Sequence, residues 1–387
     1  MRWAILALIF GIALVISIRN ARTGSAVNAR VQTFDWLRGI AVLVMIQCHA
    51  MTLLSPEALK DPLYKTLISI DGLVAPSFTF AAGFSLALVQ VRGAATGARS
   101  VRALKTLRRL AEVLIVATLV NWMWFPIFRE PRWLLRLDIL HCIGLSLLLA
   151  LPVLVLFAPR PKVLRWVTLG LAALTFGISP LLEHGAGPLD WLLNSTPDAS
   201  GRASVFPLMP WAGYVYLGAS AGAVAALGDF WALVRWVVAL GLAGLAIWIA
   251  TPVFASIYPP HNFWVTNPAN CAQRWATIMG VVLLLMWFEQ KGTRWVKSPP
   301  VRFVSAFGGS SMAAYFFHEA LLYYRAWPFY FSFNAWWGKS CGWGKYWALT
   351  ALLIACTYVL VLLTDRIYRW VDKRLPSIGP NPQRPTA

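Results

Sequence analysis

The side chains here that could do chemistry in an apolar environment are few, and three share one stretch, FDWLRGIAVLVMIQCHAM, which carries Asp35, Arg38 and His49. An ionisable residue at the centre of a membrane helix costs about 2.5–3.5 kcal/mol on insertion scales, so each is a functional candidate by default. Arg38 and His49 are eleven residues apart. On a helix that is within about 20° of three whole turns and about 16 Å of rise, so both share one face. That face displays a cation at one end and, at the other, an imidazole suited to proton transfer near neutral pH. A plainer reading stays open for each: Arg38 snorkels to lipid phosphates and pairs with Asp35, three residues back, while His49 bonds a neighbouring carbonyl in the packing.

Other polar residues stand at the ends of further apolar runs. Asp71 opens DGLVAPSFTFAAGF; Arg136, Asp138 and His141 open RLDILHCIGL; Trp211 lies in FPLMPWAGYVYLG; Arg274 follows Cys271; and His318 and Glu319 lie in FGGSSMAAYFFHEALLYY. Asp138 and His141, three apart, share a helix face. Gly308, Gly309, Ser310 and Ser311 would let another helix approach closely. Taken singly, Asp71, Arg136 and Arg274 are also admissible as interfacial residues, and Trp211 as an aromatic-belt anchor. His184 and His261 sit beside Gly and Pro in loops and are expected to be solvated. Three His with several carboxylates raise a metal site as a rival, but no HxxH or HExxH spacing puts two ligands on one helix face, so no metal is expected.

The densest cationic signal is SVRALKTLRRLAEVL, where Arg102, Lys105, Arg108 and Arg109 recur at helical spacing. Topological anchoring accounts for it; a docking surface for a phosphorylated, anionic donor is the functional alternative.

The elements that must position these residues are membrane helices. The chain has 387 residues, 59% hydrophobic and 13% charged, with 21 Trp and 21 Phe and a mean hydropathy of +0.63. No water-soluble core needs that composition. The net charge of +19 lies in short clusters between apolar runs rather than on one basic face, which argues against nucleic acid. Five scattered Cys (Cys48, Cys142, Cys271, Cys341, Cys356) form neither a zinc motif nor a disulfide framework, leaving one pairing, Cys271 with Cys341, open. Repeated period-2 segments are missing, so a β-barrel is not expected. The fold class is all-α and polytopic.

Apolar runs long enough to cross a core of about 30 Å begin near Trp3, Asp35, Asp71, Leu107, Leu137, Leu164, Phe206, Trp231, Ala272, Phe303 and Tyr346, which predicts about eleven spans. Residues 1–20 are read as an uncleaved first span rather than a signal peptide, 34–370 as one membrane domain and 371–387 as a cytoplasmic tail. With the amino terminus outside and the carboxyl terminus inside, 22 Lys and Arg fall in inner loops against 11 in outer ones, as the positive-inside rule requires. This topology gathers His49, Asp71, Arg136, Asp138, His141, Trp211, Arg274, His318 and Glu319 in the outer half and puts Arg38 and the basic cluster inside.

The stretch from Phe34 to Met51 resembles the opening helix of membrane acyltransferases of the acyltransferase-3 type, whose signature is a basic residue, ten positions and a histidine, matched by Arg38 and His49. DGLVAPSFTFAAGFSLAL, RLDILHCIGLSLLLA and FPLMPWAGYVYLGASAG are similar to successive blocks of the heparan-alpha-glucosaminide N-acetyltransferase family, which also has an extra first span. One departure stands out: in the lysosomal enzyme the catalytic histidine precedes the third span, whereas 55–70 here contains none. The resemblance implies an acyl-CoA donor, acetyl-CoA above all, bound from the cytoplasm, and a sugar or glycan hydroxyl or amine as acceptor on the far side. Arg38, Lys105, Arg108 and Arg109 would serve the CoA end. His49 would act as general base or acyl carrier, with Asp71 orienting its ring and His318 or Arg136 facing the oxyanion. Arg136, Asp138, His141, Trp211, Arg274 and Glu319 would bind the acceptor. The expected setting is a bacterial inner membrane, with membrane lipids, acyl-CoA and the glycan as partners and a homodimer left open. A proton-coupled transporter or flippase, with the same His and carboxylates as a relay, is the rival from another class, and a non-catalytic scaffold is disfavoured by the cost of so many intramembrane polar groups.

Overall fold

In lipid every backbone N–H and C=O must be satisfied within the chain, which leaves an apolar sequence of this kind helices as its main element. A computed structural model of the protein describes residues 31–97, 99–124, 137–183, 189–193, 204–290, 298–324 and 332–374. The described residues are helical throughout their long segments, with no strand beyond an isolated bridge between Leu54 and Cys341.

In chain order the main helices are α1 (Gln32–Ala50), α2 (Pro62–Asp71), α3 (Val74–Ala95), α4 (Arg99–Trp124), α5 (Ile139–Phe157), α6 (Pro161–Leu182), α7 (Leu208–Ala225), α8 (Phe230–Ile249), α9 (Pro268–Gln290), α10 (Pro299–Gly309), α11 (Ser311–Tyr323) and α12 (Trp343–Arg374). Seven segments among the described residues are long and apolar enough to cross a membrane: Gln32–Leu53, Pro62–Ala95, Ile139–Phe157, Pro161–Leu182, Phe230–Ile249, Pro268–Gln290 and Trp343–Ile367. Helices also occupy three further expected positions, as α4, as the largely buried α7, and as α10 and α11 broken at Ser310. The expected span from Trp3 lies outside the described residues. α12 runs unbroken to Arg374, four residues into what the sequence suggested was tail; the remainder of that tail lies outside the described residues.

α7 packs between α3 and α6. Gly83 of α3 meets the backbone of Val215, and Gly218 of α7 meets the carbonyl of Phe80. A side chain at either would strike main chain, so these two glycines set how closely the helices cross. α1 packs along α10 by the same device, Gly308 lying on the Asp35 carbonyl.

Both ends of α1 are pinned. At its start the Gln32 and Thr33 amides donate to the Glu289 carboxylate at 2.9 and 3.0 Å, satisfying two orphan N–H groups with an anion that the helix dipole favours. Near its end Gln47 donates to Tyr346 at 2.7 Å, and Tyr346 donates back to the Gln47 carbonyl at 3.0 Å. Just beyond, the Cys341 amide donates to Leu53 and the Ser55 amide to Cys341, each at 2.9 Å. Cys341 and Cys271 are both free thiols, so the pairing left open by the sequence is not formed.

Candidate active site

His49 occupies the last turn of α1, and α11 brings His318 and Glu319 against it. Oε1 of Glu319 lies 2.6 Å from Nδ1 of His49. Nε2 of His318 lies 2.9 Å from the same Nδ1 and 3.3 Å from the same carboxylate oxygen. Both α11 residues are buried, at 0% and 1% exposure, while the His49 side chain keeps 29%.

Hydrogen bonding assigns the protons. Nδ1 of His318 lies 2.8 Å from the Ala314 carbonyl, which can only accept. That nitrogen therefore carries the hydrogen, and a neutral His318 turns a lone pair toward His49. Nδ1 of His49 then donates to Nε2 of His318, with the Glu319 carboxylate beside it. The other nitrogen of His49, Nε2, has no hydrogen-bond partner among the described residues and carries the lone pair when the ring is neutral. The carbonyl of His49 is held as well, by Tyr323 at 3.0 Å and Thr52 at 2.9 Å.

His49 lines a cavity of about 660 Å³, mouth included, whose wall also contains Cys48, Asp71, Asp138, Trp211, Arg274 and Tyr315. Three of these present buried polar atoms that no nitrogen or oxygen of the described residues satisfies: both carboxylate oxygens of Asp71, Nε1 of Trp211 and Nη1 of Arg274. A buried polar group without a partner costs about 1–3 kcal/mol. An acceptor and two donors on one cavity wall, the acceptor met by no more than the Cys48 thiol, describe a site for a polar molecule. Arg274 is positioned by its other nitrogen, Nη2, on the Trp264 carbonyl at 2.8 Å and lies 5.8 Å from the Trp211 ring.

A basic imidazole nitrogen held by a buried carboxylate behind and opening on a polar cavity in front can take a proton from a bound nucleophile. The family model for the catalytic domain of heparan-alpha-glucosaminide N-acetyltransferase matches residues 30–253, more than half of the chain. This chain belongs to the heparan-alpha-glucosaminide N-acetyltransferase family. It is a membrane acetyltransferase. Among curated proteins no match is found. The matched part of this acetyltransferase contains His49, Asp71, Asp138 and Trp211; Arg274, His318 and Glu319 come from the remainder.

Several sequence expectations change in this light. The carboxylate on the His49 ring is Glu319, not Asp71, because α11 and not the start of α3 packs against that side of α1. Glu319, expected to bind acceptor, lies behind the imidazole and off the cavity wall. His318 is likewise behind His49, where it cannot face an oxyanion in the cavity. His141 is absent from the wall too. It caps α5, its Nδ1 accepting from the Asp138 amide at 3.5 Å, with Thr118 near its far side at 3.4 Å. Asp138 does reach the cavity and accepts from Tyr315 at 2.5 Å. Trp211, at 8% exposure, is buried rather than a belt anchor. His261, expected to be solvated, keeps partial exposure while it ties the Pro259 carbonyl to Asn267 at 2.7 and 2.9 Å. Arg136 and His184 lie outside the described residues.

The residues expected at the donor end stand elsewhere. Arg38 pairs with Asp35, and Arg108 meets Glu112 at 3.3 Å on an exposed face of α4 that also carries Lys105 and Arg109. None of the four lines this cavity.

The absence of a metal motif also reads differently here. His49, His318 and Glu319 come from two helices, and their facing atoms could ligate one ion. A same-helix spacing rule does not detect such a set.

Proposed function

We propose that this acetyltransferase moves an acetyl group from acetyl-CoA, presented from the cytoplasmic face, to an amine or hydroxyl of a sugar or glycan held in the cavity on the opposite face. The observation that carries the reading is the Glu319–His49 contact with the rest of the imidazole on the cavity wall. Nε2 of His49 takes the proton as the acceptor's nitrogen or oxygen attacks the thioester carbonyl. Glu319, 2.6 Å from Nδ1, stabilises by its charge the imidazolium that forms. The carbon–sulfur bond then breaks, and the coenzyme thiolate leaves with the proton that His49 gives up.

Asp71, Trp211 and Arg274 supply what a polyhydroxylated acceptor needs, namely an anionic acceptor, two N–H donors and an aromatic surface. The excess of 22 inner over 11 outer Lys and Arg supports α1 running outward, with His49 at its outer end. The exposed cations of α4 offer the coenzyme phosphates a surface on the inner side.

Transfer of labelled acetyl from acetyl-CoA to amino sugars and glycans by purified protein tests this. His49→Ala should lower transfer by at least about 10²-fold while acetyl-CoA still raises thermal stability. Transfer within tenfold of the wild type would remove His49 from the chemistry.

A further inference from the structure

We propose that His49, His318 and Glu319 form a binding site for a divalent cation of the zinc type, and that filling it switches acetyl transfer off. The inhibitory half rests on the general-base reading above; the binding half rests on geometry alone.

Three potential ligand atoms face one another: Nδ1 of His49, Nε2 of His318 and Oε1 of Glu319, at separations of 2.6, 2.9 and 3.3 Å. Zinc held at about 2.0–2.1 Å in a tetrahedral shell separates neighbouring ligands by about 3.3 Å. One pair already stands at that distance, and the other two need to open by about half an ångström. His49 sits on a cavity wall with its side chain 29% exposed, so it has room to move.

The support around His318 is of the kind metal sites use. A ligating histidine almost always donates its other N–H to a carbonyl or carboxylate, which fixes the tautomer and the ring. His318 does so through Nδ1 to Ala314, leaving Nε2 aimed at the cluster. Two imidazole nitrogens and one carboxylate oxygen suit zinc far better than magnesium or calcium, which prefer all-oxygen shells. Three protein ligands leave the fourth tetrahedral position to water, as zinc sites of that kind do.

Inhibition follows from the tautomer. For His49 to act as a base on the cavity side, Nδ1 must carry the hydrogen and Nε2 the lone pair. A metal on Nδ1 reverses this: that hydrogen is displaced, and a neutral ring then carries its hydrogen on Nε2. The nitrogen facing the acceptor becomes a donor and can no longer take a proton. Glu319 is removed from the ring at the same time. Since the metal sits behind His49 rather than among Asp71, Trp211 and Arg274, acceptor binding should survive.

The test uses the full-length protein in detergent with any polyhistidine tag removed. Zinc affinity is measured by competition with a chromophoric chelator for the wild type, His318→Gln and Glu319→Gln. One zinc per chain is expected, weakened at least tenfold in each variant and not displaced by millimolar magnesium. X-ray absorption of the zinc-loaded wild type should show two imidazole nitrogens and a carboxylate oxygen, independently of how the variants fold. In the transfer assay zinc should lower kcat, leave the acceptor KM within twofold, and be reversed by chelator. Equal zinc affinity in wild type and variants, or an absorption spectrum without imidazole, overturns the site. Transfer that proceeds unchanged on zinc-loaded protein overturns the switch and leaves the proposed function standing. Ligand-dependent zinc binding by metal-free protein that catalyses no transfer would support the site and remove the functional reading instead.

Discussion

Oε1 of Glu319 stands 2.6 Å from Nδ1 of His49, joining the end of α1 to a helix from the far part of the chain. The hydrogen bond to His318 puts the ring hydrogen of His49 on Nδ1, and the Glu319 carboxylate places a negative charge where imidazolium forms during transfer. Glu319→Gln keeps the shape and removes the charge. It should lower kcat by about 10²–10⁴-fold, the range that general acid–base catalysis contributes, with the acceptor KM little changed. Steady-state kinetics decide it, and a kcat within threefold of the wild type would show that the carboxylate has no part in the chemistry.

The unmet polar atoms on the cavity wall make a separable prediction. Trp211→Phe removes an N–H that has no partner among the described residues, so no internal hydrogen bond is lost and folded stability should stay within about 1 kcal/mol. Acceptor affinity should fall about tenfold, as expected for a hydrogen bond of about 1.4 kcal/mol made only in the complex. Thermal unfolding and acceptor KM are read on the same preparation. A destabilised variant with unchanged KM would make Trp211 a packing residue only.

How much of this was legible beforehand depends on how local each signal is. Hydropathy and the positive-inside rule are local, so the helical membrane fold and the gathering of His49, Asp71, Trp211 and Arg274 at one end could be read from the chain. Choosing Glu319 over Asp71 as the partner of His49 required knowing that α11 follows α10 along α1. The run from Gly308 to Ser311 signalled a close helix approach, and Gly308 does meet α1 at Asp35, but nothing in the sequence named that neighbour. Tyr315 and Tyr323, which orient Asp138 and the His49 carbonyl, were missed because tyrosines are common in membrane helices for other reasons. For His141 the sequence leaves two roles open, since an Asp and a His three apart at a helix start are equally the pattern of a reciprocal cap, which is the contact the structure shows.

Tyr315 and Asp138 couple the cavity wall to the helix that carries Glu319. Tyr315→Phe leaves the Asp138 carboxylate, a cavity residue, without its 2.5 Å donor. A hydrogen bond to a charged group contributes about 1.5–3 kcal/mol, so a stability loss of that size is expected together with a raised acceptor KM. Denaturation in detergent measures the first and kinetics the second. If neither moves, the Tyr315 hydroxyl holds nothing that matters.

The cations of α4 test the donor side independently of His49. Lys105, Arg108 and Arg109 stand on an exposed face, and among the described residues only Arg108 has a carboxylate nearby, Glu112 at 3.3 Å. Such an exposed pair is worth little, about 0–1 kcal/mol, so replacing all three with Gln should leave stability nearly unchanged. If the coenzyme phosphates dock there, the acetyl-CoA KM should rise about tenfold or more in low salt while the acceptor KM holds, and the gap should narrow as salt screens the wild-type contacts. Topological anchoring predicts a different result: less protein inserted in the membrane but normal kinetics per folded molecule. Expression level and acetyl-CoA KM on the same triple variant therefore separate the two readings of this cluster, and an unchanged KM would move the donor site elsewhere on the inner face.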